Sequence, residues 1–296
     1  LQWWKTNRHF QELCFAEKMN LSVIIPVYNY LDLLEKCLFS VYRQAVQPDE
    51  IILSDDGSEE DIICFFQVQK EKTSIPMILV RQEHQQFRAS RVRNNGVSVC
   101  NSEILAFLDQ DIIIPKNYLL SIKNELTIGR FLSGYPVRLS KDQTEKLTFE
   151  MIEQNNWNAI LTEAQKKKII KQYRKDYLSY VLCKYLPFVE HGAKMRGGVS
   201  AIFRNDFEAV NGYDENYIGW GNEDDDLGKR LHALGRIGFN FVLSQLPLHQ
   251  YHQPYHNKGE RKNSGYSKSR RNEIFPNNYR CQKGLNSKRN DLYILK

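Results

Sequence analysis

Three groups of acidic and imidazole side chains in this 296-residue chain have types and spacings suited to chemistry. Asp109 and Asp111 bracket Gln110 directly after the apolar run ILAFL. Two carboxylates leaving the end of one strand can hold a hard divalent cation together with phosphate oxygens, although a strand-ending turn would use the same residues. Glu223 to Asp226 open a helical pattern in GWGNEDDDLGKRL. Acids suit a helix N-terminus, and Asp225 with Lys229 and Asp226 with Arg230 have i,i+4 spacing. Asp224 lies three residues before Leu227, on the face that carries Leu231 and Leu234, which makes it an inward carboxylate and a candidate general base. His249 and His252 follow the last strand pattern. They face opposite sides of a regular strand, so sharing one metal requires the strand to end there; one firm ligand is expected, His252 ahead of His249.

Two further clusters suit a nucleotide. Asp55 and Asp56 in SDDGS either form an Asx turn with Gly57 or offer a carboxylate to the N3–H of uracil. Arg88, Arg91 and Arg93 begin a helical segment, where guanidinium groups and free backbone donors suit a diphosphate, with at least one expected to be a solvated surface charge.

Such groups need rigid elements beneath them, and the chain supplies an alternating pattern from Leu21 onward. Short apolar runs (LSVIIPVY, EIILSDD, PMILVRQ, EILAFLDQD) alternate with helical segments, so four βα repeats and a mostly parallel, Rossmann-like sheet flanked by helices are expected. Ligands collect beyond the carboxyl ends of such strands, where Tyr28, Asp55, Asp56, Asp109 and Asp111 fall. Residues 140–186 are rich in Lys, Glu and Gln with helically spaced apolar positions and are expected to form a helical insertion. A strand is expected at GGVSAIFR, then a helix from about Glu223 to Leu234 stopped by Gly235, then a strand at RIGFNFV.

Composition bounds the class. Hydrophobic residues make up 42% and charged residues 26% of the chain, and no apolar run approaches the roughly 18 residues of a membrane span, so disordered, collagen-like and integral membrane classes are excluded. The six cysteines contain no CxxC pair and read as reduced thiols rather than disulfides or zinc ligands. Residues 256–296 hold 11 Lys and Arg against 3 Asp and Glu, leaving 30 against 32 elsewhere. A nucleic-acid-binding body is therefore not expected, and residues 257–296 read as a basic extension, loosely packed or ordered by ligand, that could meet an anionic membrane peripherally. Residues 1–18 lack a signal-peptide pattern and receive no fold role; a cytoplasmic location is expected.

VIIPVYN, the SDDGS turn, the RVRNNG helix start and FLDQD, in this order and spacing, resemble the inverting family 2 glycosyltransferases of the GT-A fold over about residues 21–115. RGGVSAIFRNDFEAVNGYDENYIGWGNEDDDLGKRL resembles the acceptor-side block of β-1,4-galactosyltransferases and bacterial chondroitin-polymerase-like enzymes. The resemblance implies one domain over 19–256: a nucleotide-binding half (19–115), the helical insertion (140–186), and an acceptor and catalytic half (187–256). It implies Asp56 as the uracil partner, Pro26 and Tyr28 in the base pocket, Arg93 on the donor, Asp111 as principal Mn²⁺ or Mg²⁺ ligand, and Asp109 toward the sugar. Gly197 and Gly198 would leave room for the donor, Asp224 would be the base, and Trp220, Glu223 and Asp225 would meet the acceptor. Galactosyltransferases have Met where His249 stands, and Asn222 replaces their usual Gly.

The implied activity is inverting transfer of a hexose or N-acetylhexosamine from a UDP-sugar to a saccharide or lipid-linked saccharide, in bacterial surface polysaccharide or glycoconjugate synthesis. A nucleotidyltransferase also uses metal-binding aspartates, but PVYNYLDLLEK lacks the Gly-rich phosphate loop expected after its first strand. A catalytically silent carbohydrate-binding protein is the third reading, weakened by the intact acidic clusters.

Overall fold

The computed structural model describes residues 19–186, 192–243, 245–253 and 262–296. The expectation for residues 1–18 falls outside them. The expected alternation is present as β1 (Leu21–Val27), α1 (Leu31–Tyr42), β2 (Glu50–Asp55), α2 (Ile62–Glu71), β3 (Met77–Arg81), α3 (Ala89–Val99) and β4 (Ile104–Leu108). β1 pairs in parallel with β2 and β4, and β2 with β3. Successive residues of these strands enter different cores, which is why their sequences are apolar throughout. Val23 and Ile25 pack with Leu34, Leu38 and Phe66 on one face, while Ile24, Ile52 and Phe107 pack with Val97, Leu227 and Leu231 on the other.

The chain continues through β5 (Ile112–Ile113), α4 (Tyr118–Glu125), β6 (Arg130–Ser133) and β7 (Val137–Arg138) into the insertion, α5 (Lys141–Lys146), α6 (Phe149–Glu153) and α7 (Glu163–Tyr185). It returns through β8 (Val199–Phe203), α8 (Arg204–Ala209), α9 (Glu223–Ala233), β9 (Ile237–Asn240) and β10 (Leu248–His249). β8 joins antiparallel to β4 and to β6, and β6 pairs in parallel with β9. A small sheet, β5-β10-β7, carries the chain from the end of β4 to His249. The insertion is helical as expected. Serine and threonine capping boxes start α5 and α7, and Leu147 after α5, Ile152 of α6 and Ile169 of α7 close a separate small core around Trp157 and Leu248.

The basic C-terminal segment departs from the expected loose extension. α10 (Ser264–Glu273) lies on α9, and β11 (Tyr293–Leu295) adds an antiparallel edge strand to β3. Ile274 and Cys281 are buried, Asn211 bonds the Cys281 carbonyl and Asn286, and Arg289 reaches Glu215 at 2.5 Å. These anchors are polar and backbone-mediated, so they leave no apolar periodicity in the sequence. The five described cysteines are free thiols. Among the described residues no helix is long and apolar enough to cross a membrane.

Asp226 and Arg230 have the expected i,i+4 spacing but are not a surface pair. Both are buried, 2.7 Å apart, and Arg230 also donates to the carbonyls of Val210 and Gly212. Arg230→Leu should therefore lower the free energy of unfolding by about 3 to 5 kcal/mol, because it leaves two carbonyls unpaired away from water and leaves the buried Asp226 charge only the Tyr217 hydroxyl and the more distant Arg270. Urea titration of both proteins measures the difference.

Candidate active site

The SDDGS turn divides its two aspartates. Asp55 accepts from the Gly57 and Ser58 amides, each at 3.1 Å, and from the Ser58 hydroxyl at 2.5 Å, with Gly57 at φ +75°. Asp55 is thus the turn residue. Asp56 takes no part in the turn; it is buried and accepts from the Gln82 side chain, while the His84 ring contacts its backbone carbonyl at 2.9 Å. Burial raises the Asp56 carboxyl above its ordinary value, against Gln82 and His84, which lower it. Tyr28 stacks on His84 with ring centroids 4.5 Å apart, and Pro26, half-buried, lies two residues upstream in β1. Gln82 is itself oriented by Asn95 at 2.8 Å.

Gln110 joins the first and fourth strands. Its side chain accepts from the Tyr28 amide at 2.7 Å and donates to the Asn29 carbonyl at 2.7 Å, pinning the base-side loop to the Asp109–Asp111 turn. Asp111 is buried, and its Oδ2 lies 2.9 Å from His252 Nε2 and 3.3 Å from His249 Nε2. The strand does end at His249, and the intervening Gln250 turns inward to the carbonyls of Leu33 and Asp111. Both imidazoles therefore converge, with centroids 5.5 Å apart. The reading of one firm ligand is revised: these three groups offer ligand atoms all within 4.8 Å of one another. Each Nδ1 faces a backbone carbonyl, that of Gln250 at 2.8 Å or Gln253 at 3.0 Å, which places the proton on Nδ1 and turns the Nε2 lone pair to the site. Asp111 Oδ1 is buried without a hydrogen-bond partner, as suits an oxygen reserved for a cation. The donor set, one carboxylate and two imidazoles, fits a divalent transition metal such as Mn²⁺.

Asp109 points away from that trio. Its carboxylate meets the guanidinium of Arg93 at 3.0 Å, and Arg93 also lies 3.7 Å from Asp224 and 3.9 Å from Glu223. Arg93 is buried among these acids, so it neutralises carboxylates and does not open toward a diphosphate, in contrast to its expected role. Arg91 is paired with Asp291 and Arg88 bonds the Glu83 carbonyl. Gly197 and Gly198 have a related correction. A Cβ at Gly197 would meet Arg93 and, at 2.6 Å, Asp224 Oδ1, and one at Gly198 would collide with Asp109, so the space these glycines leave is filled by the protein's own charged side chains.

The four acids of α9 have four different surroundings. Asp224 is half-buried in the cleft and accepts from the Tyr213 hydroxyl at 3.3 Å. Asp225 stays near the surface, 3.9 Å from Arg271, and Asp226 is buried on Arg230. Glu223 is buried rather than open to an acceptor, and its Oε2 has no hydrogen-bond partner. Burial, then the Asp224 carboxylate, push Glu223 from an ordinary 4.5 up to about 7, against Arg93. Trp220 is half exposed between Gly219 and Gly221, both at positive φ. Asn222 also has φ +74°, a left-handed conformation that asparagine tolerates better than other side-chain-bearing residues, which accounts for its replacing glycine there. Gln82, His84, Gln110 and Tyr213 carry no spacing signal, because each acts through a partner distant in sequence.

The fold and this cleft define a GT-A glycosyltransferase. The chain belongs to glycosyl transferase family 2, whose pattern it matches over residues 22–183, and residues 179–257 match the N-terminal domain of galactosyltransferase. It is 28% identical over 228 residues to validoxylamine A glucosyltransferase from Streptomyces hygroscopicus subsp. limoneus, covering 73% of this chain and 48% of that protein. It is 25% identical over 250 residues to chondroitin synthase from Pasteurella multocida, covering 79% of this chain and 25% of that protein. The chain thus spans about half or less of these relatives. Its fold is similar to that of GalNAc-T7 with UDP, GalNAc and Mn²⁺, at a TM-score of 0.56 and 15% identity, covering 83% of this chain and 45% of that one.

Asp111→Ala should abolish Mn²⁺ binding measured by calorimetry, and His249→Ala and His252→Ala should each weaken it by at least the about 10-fold that loss of even a supporting outer residue costs. Unchanged affinity in either histidine variant removes that residue from the site. Because Glu223 holds its proton more tightly folded than unfolded, it makes stability fall as pH rises from about 4.5 to 7. Burial sets most of this shift; of the charged groups that face it, Asp224 and Asp109 add to the shift and Arg93 opposes it. Glu223→Gln should flatten that part of the stability profile and raise stability at pH 8, by on the order of a few kcal/mol at most.

Proposed function

We propose that this domain is a metal-dependent, inverting glycosyltransferase that moves a hexose or N-acetylhexosamine from a UDP-sugar to a saccharide acceptor. The observation that carries the reading is the single cleft edge on which the Asp56 pocket, the Asp111–His249–His252 trio and Asp224 stand, with Arg93 between donor-side Asp109 and Asp224. Asp56 would accept the uracil N3–H while Tyr28 and His84 supply aromatic faces. Asp111, His249 and His252 would hold Mn²⁺ or Mg²⁺, which, when bound, offsets the negative charge that grows on the diphosphate as the anomeric bond breaks.

Asp224 would take the proton of the attacking acceptor hydroxyl. The Tyr213 hydroxyl and the Arg93 guanidinium hold its carboxylate toward the cleft without burying it, and Asp109 would receive donor sugar hydroxyls. Trp220 would stack on the acceptor ring and Asp225 accept its hydroxyls. Attack opposite the departing diphosphate inverts the anomeric carbon, so an α-linked donor yields a β-linkage. The chondroitin synthase and validoxylamine A glucosyltransferase similarities support sugar transfer to a saccharide-like acceptor. A role in bacterial surface polysaccharide or glycoconjugate synthesis, on a free or lipid-linked acceptor at the cytoplasmic side, belongs to the same proposal.

A panel of UDP-Gal, UDP-GlcNAc, UDP-GalNAc and UDP-Glc, assayed for Mn²⁺-dependent UDP release, tests the reading and identifies the donor. Release from none of them with saccharide acceptors present would overturn it. Asp224→Asn should keep UDP and Mn²⁺ affinity while lowering kcat by about 10² to 10⁴, since only the proton acceptor is lost. Full turnover in that variant would place the base elsewhere.

A further inference from the structure

The outer face of α7 takes no part in the cleft. Its inner face is accounted for: Ile169 and Tyr180 are buried, and Asp176 accepts from Asn240 at 2.8 Å. Tyr180 packs edge-on against Phe239 and hydrogen-bonds Arg130. On the opposite side Lys171, Arg174, Leu178, Leu182 and Tyr185 follow one stripe, separated by three, four, four and three residues. Leu178 is 60% and Tyr185 71% exposed, and Ile170, Tyr177 and Leu182 are exposed beside them.

The charge on this helix is one-sided. It carries seven Lys or Arg against two acids. One acid, Glu163, pairs with Lys166 at the first turn, and the other, Asp176, is buried beneath the helix. Lys167, Lys168, Lys171, Arg174 and Lys175 are exposed and form no ion pair among the described residues. Lys167, Ile170, Lys171 and Arg174 line a shallow groove on this surface. The result is an apolar, tyrosine-bearing half of a helix preceded by a cationic half whose one exposed acid, Glu163, is paired with Lys166.

We propose that this face of α7 docks on an anionic lipid surface, with Tyr177, Leu178, Leu182 and Tyr185 entering the interfacial region and Lys167, Lys168, Lys171, Arg174 and Lys175 against lipid phosphates. Tyrosine and leucine suit the headgroup boundary, and lysine and arginine stems reach past apolar contacts to set their charges among phosphates. Charge complementarity favours this occupant over a second copy of the chain, which would bring like cations into contact on pairing this face with itself. It also favours α7 over the C-terminal segment, where Arg270 faces the buried Asp214 and Asp226, Arg289 pairs with Glu215, Arg271 lies 3.9 Å from Asp225 and the exposed Arg280 is tied to the carbonyls of Glu208 and Ala209.

The test is co-sedimentation of the whole chain with vesicles of phosphatidylcholine alone or with phosphatidylglycerol added, at low and high salt. Binding is expected to the anionic vesicles only and to weaken with salt. Lys171→Glu/Arg174→Glu/Lys175→Glu and Leu178→Ser/Leu182→Ser/Tyr185→Ser should each reduce it by about tenfold or more. Lys268→Glu/Lys283→Glu/Lys288→Glu, on the exposed C-terminal segment, should reduce it less than either set. Circular dichroism melting of each variant establishes that it is folded. Three results overturn the proposal: no anionic-vesicle binding by the parent chain, loss confined to the C-terminal variant, or a dimer in sedimentation velocity that the Leu178→Ser set dissolves while vesicle binding is absent. None of these readouts depends on the donor or on turnover.

Discussion

The cleft depends on one buried cation. Arg93, on the first turns of α3, has Asp109 from the end of β4 on one side and Glu223 and Asp224 from the start of α9 on the other. Three carboxylates so close together would repel one another and would cost heavily to desolvate without a counter-charge, and burial already holds Glu223 near a value of 7. A guanidinium is the side chain suited to this position, because it stays charged when buried and presents donors in several directions at once. Gly197 and Gly198 belong to the same arrangement, since any side chain there would push Arg93, Asp224 or Asp109 apart. The same contact joins the start of α3 and the end of β4 to the start of α9, so a disturbance on either side is felt on both.

Around that cation, different acids acquire different chemistry from differences of a few ångströms. Asp55 is used up by a turn while Asp56 meets the Gln82 side chain. Asp111 joins two imidazoles while Asp109, two residues earlier, joins an arginine. Along α9 the helical turn of about 100° per residue sends Asp224 to the cleft, Asp225 to the surface and Asp226 into the core. An acidic run that looks uniform in sequence is therefore four separate environments.

The C-terminal segment holds the loop around Trp220 from behind. Asn263 donates to the carbonyls of Gly219 and Gly221, on either side of Trp220, and the Tyr266 hydroxyl bonds Asp214 at 2.8 Å. Arg270 lies 3.5 Å from Asp214 and 3.7 Å from Asp226. These contacts restrain a loop with left-handed backbone at Gly219, Gly221 and Asn222, which has little intrinsic preference for one shape.

Periodicity and residue type by themselves determined the βα alternation, the helical insertion, the helix opened by Glu223 and the carboxyl-end location of Asp56, Asp109 and Asp111. Those features follow from local rules: which residues alternate, which cap, and where strands must end. The resemblance to family 2 glycosyltransferases was legible for the same reason, in contiguous blocks of motif. Tertiary structure alone decided that His249 joins His252 on Asp111, that Glu223 and Asp226 are buried while Asp224 is not, that Arg93 serves carboxylates, and that the basic end of the chain is part of the fold. Each of these rests on groups brought together from distant positions, such as Arg93 with Asp224 or Arg289 with Glu215. Spacing along the chain carries no information about such pairs, because their distance is set by how the sheet and its covering helices pack.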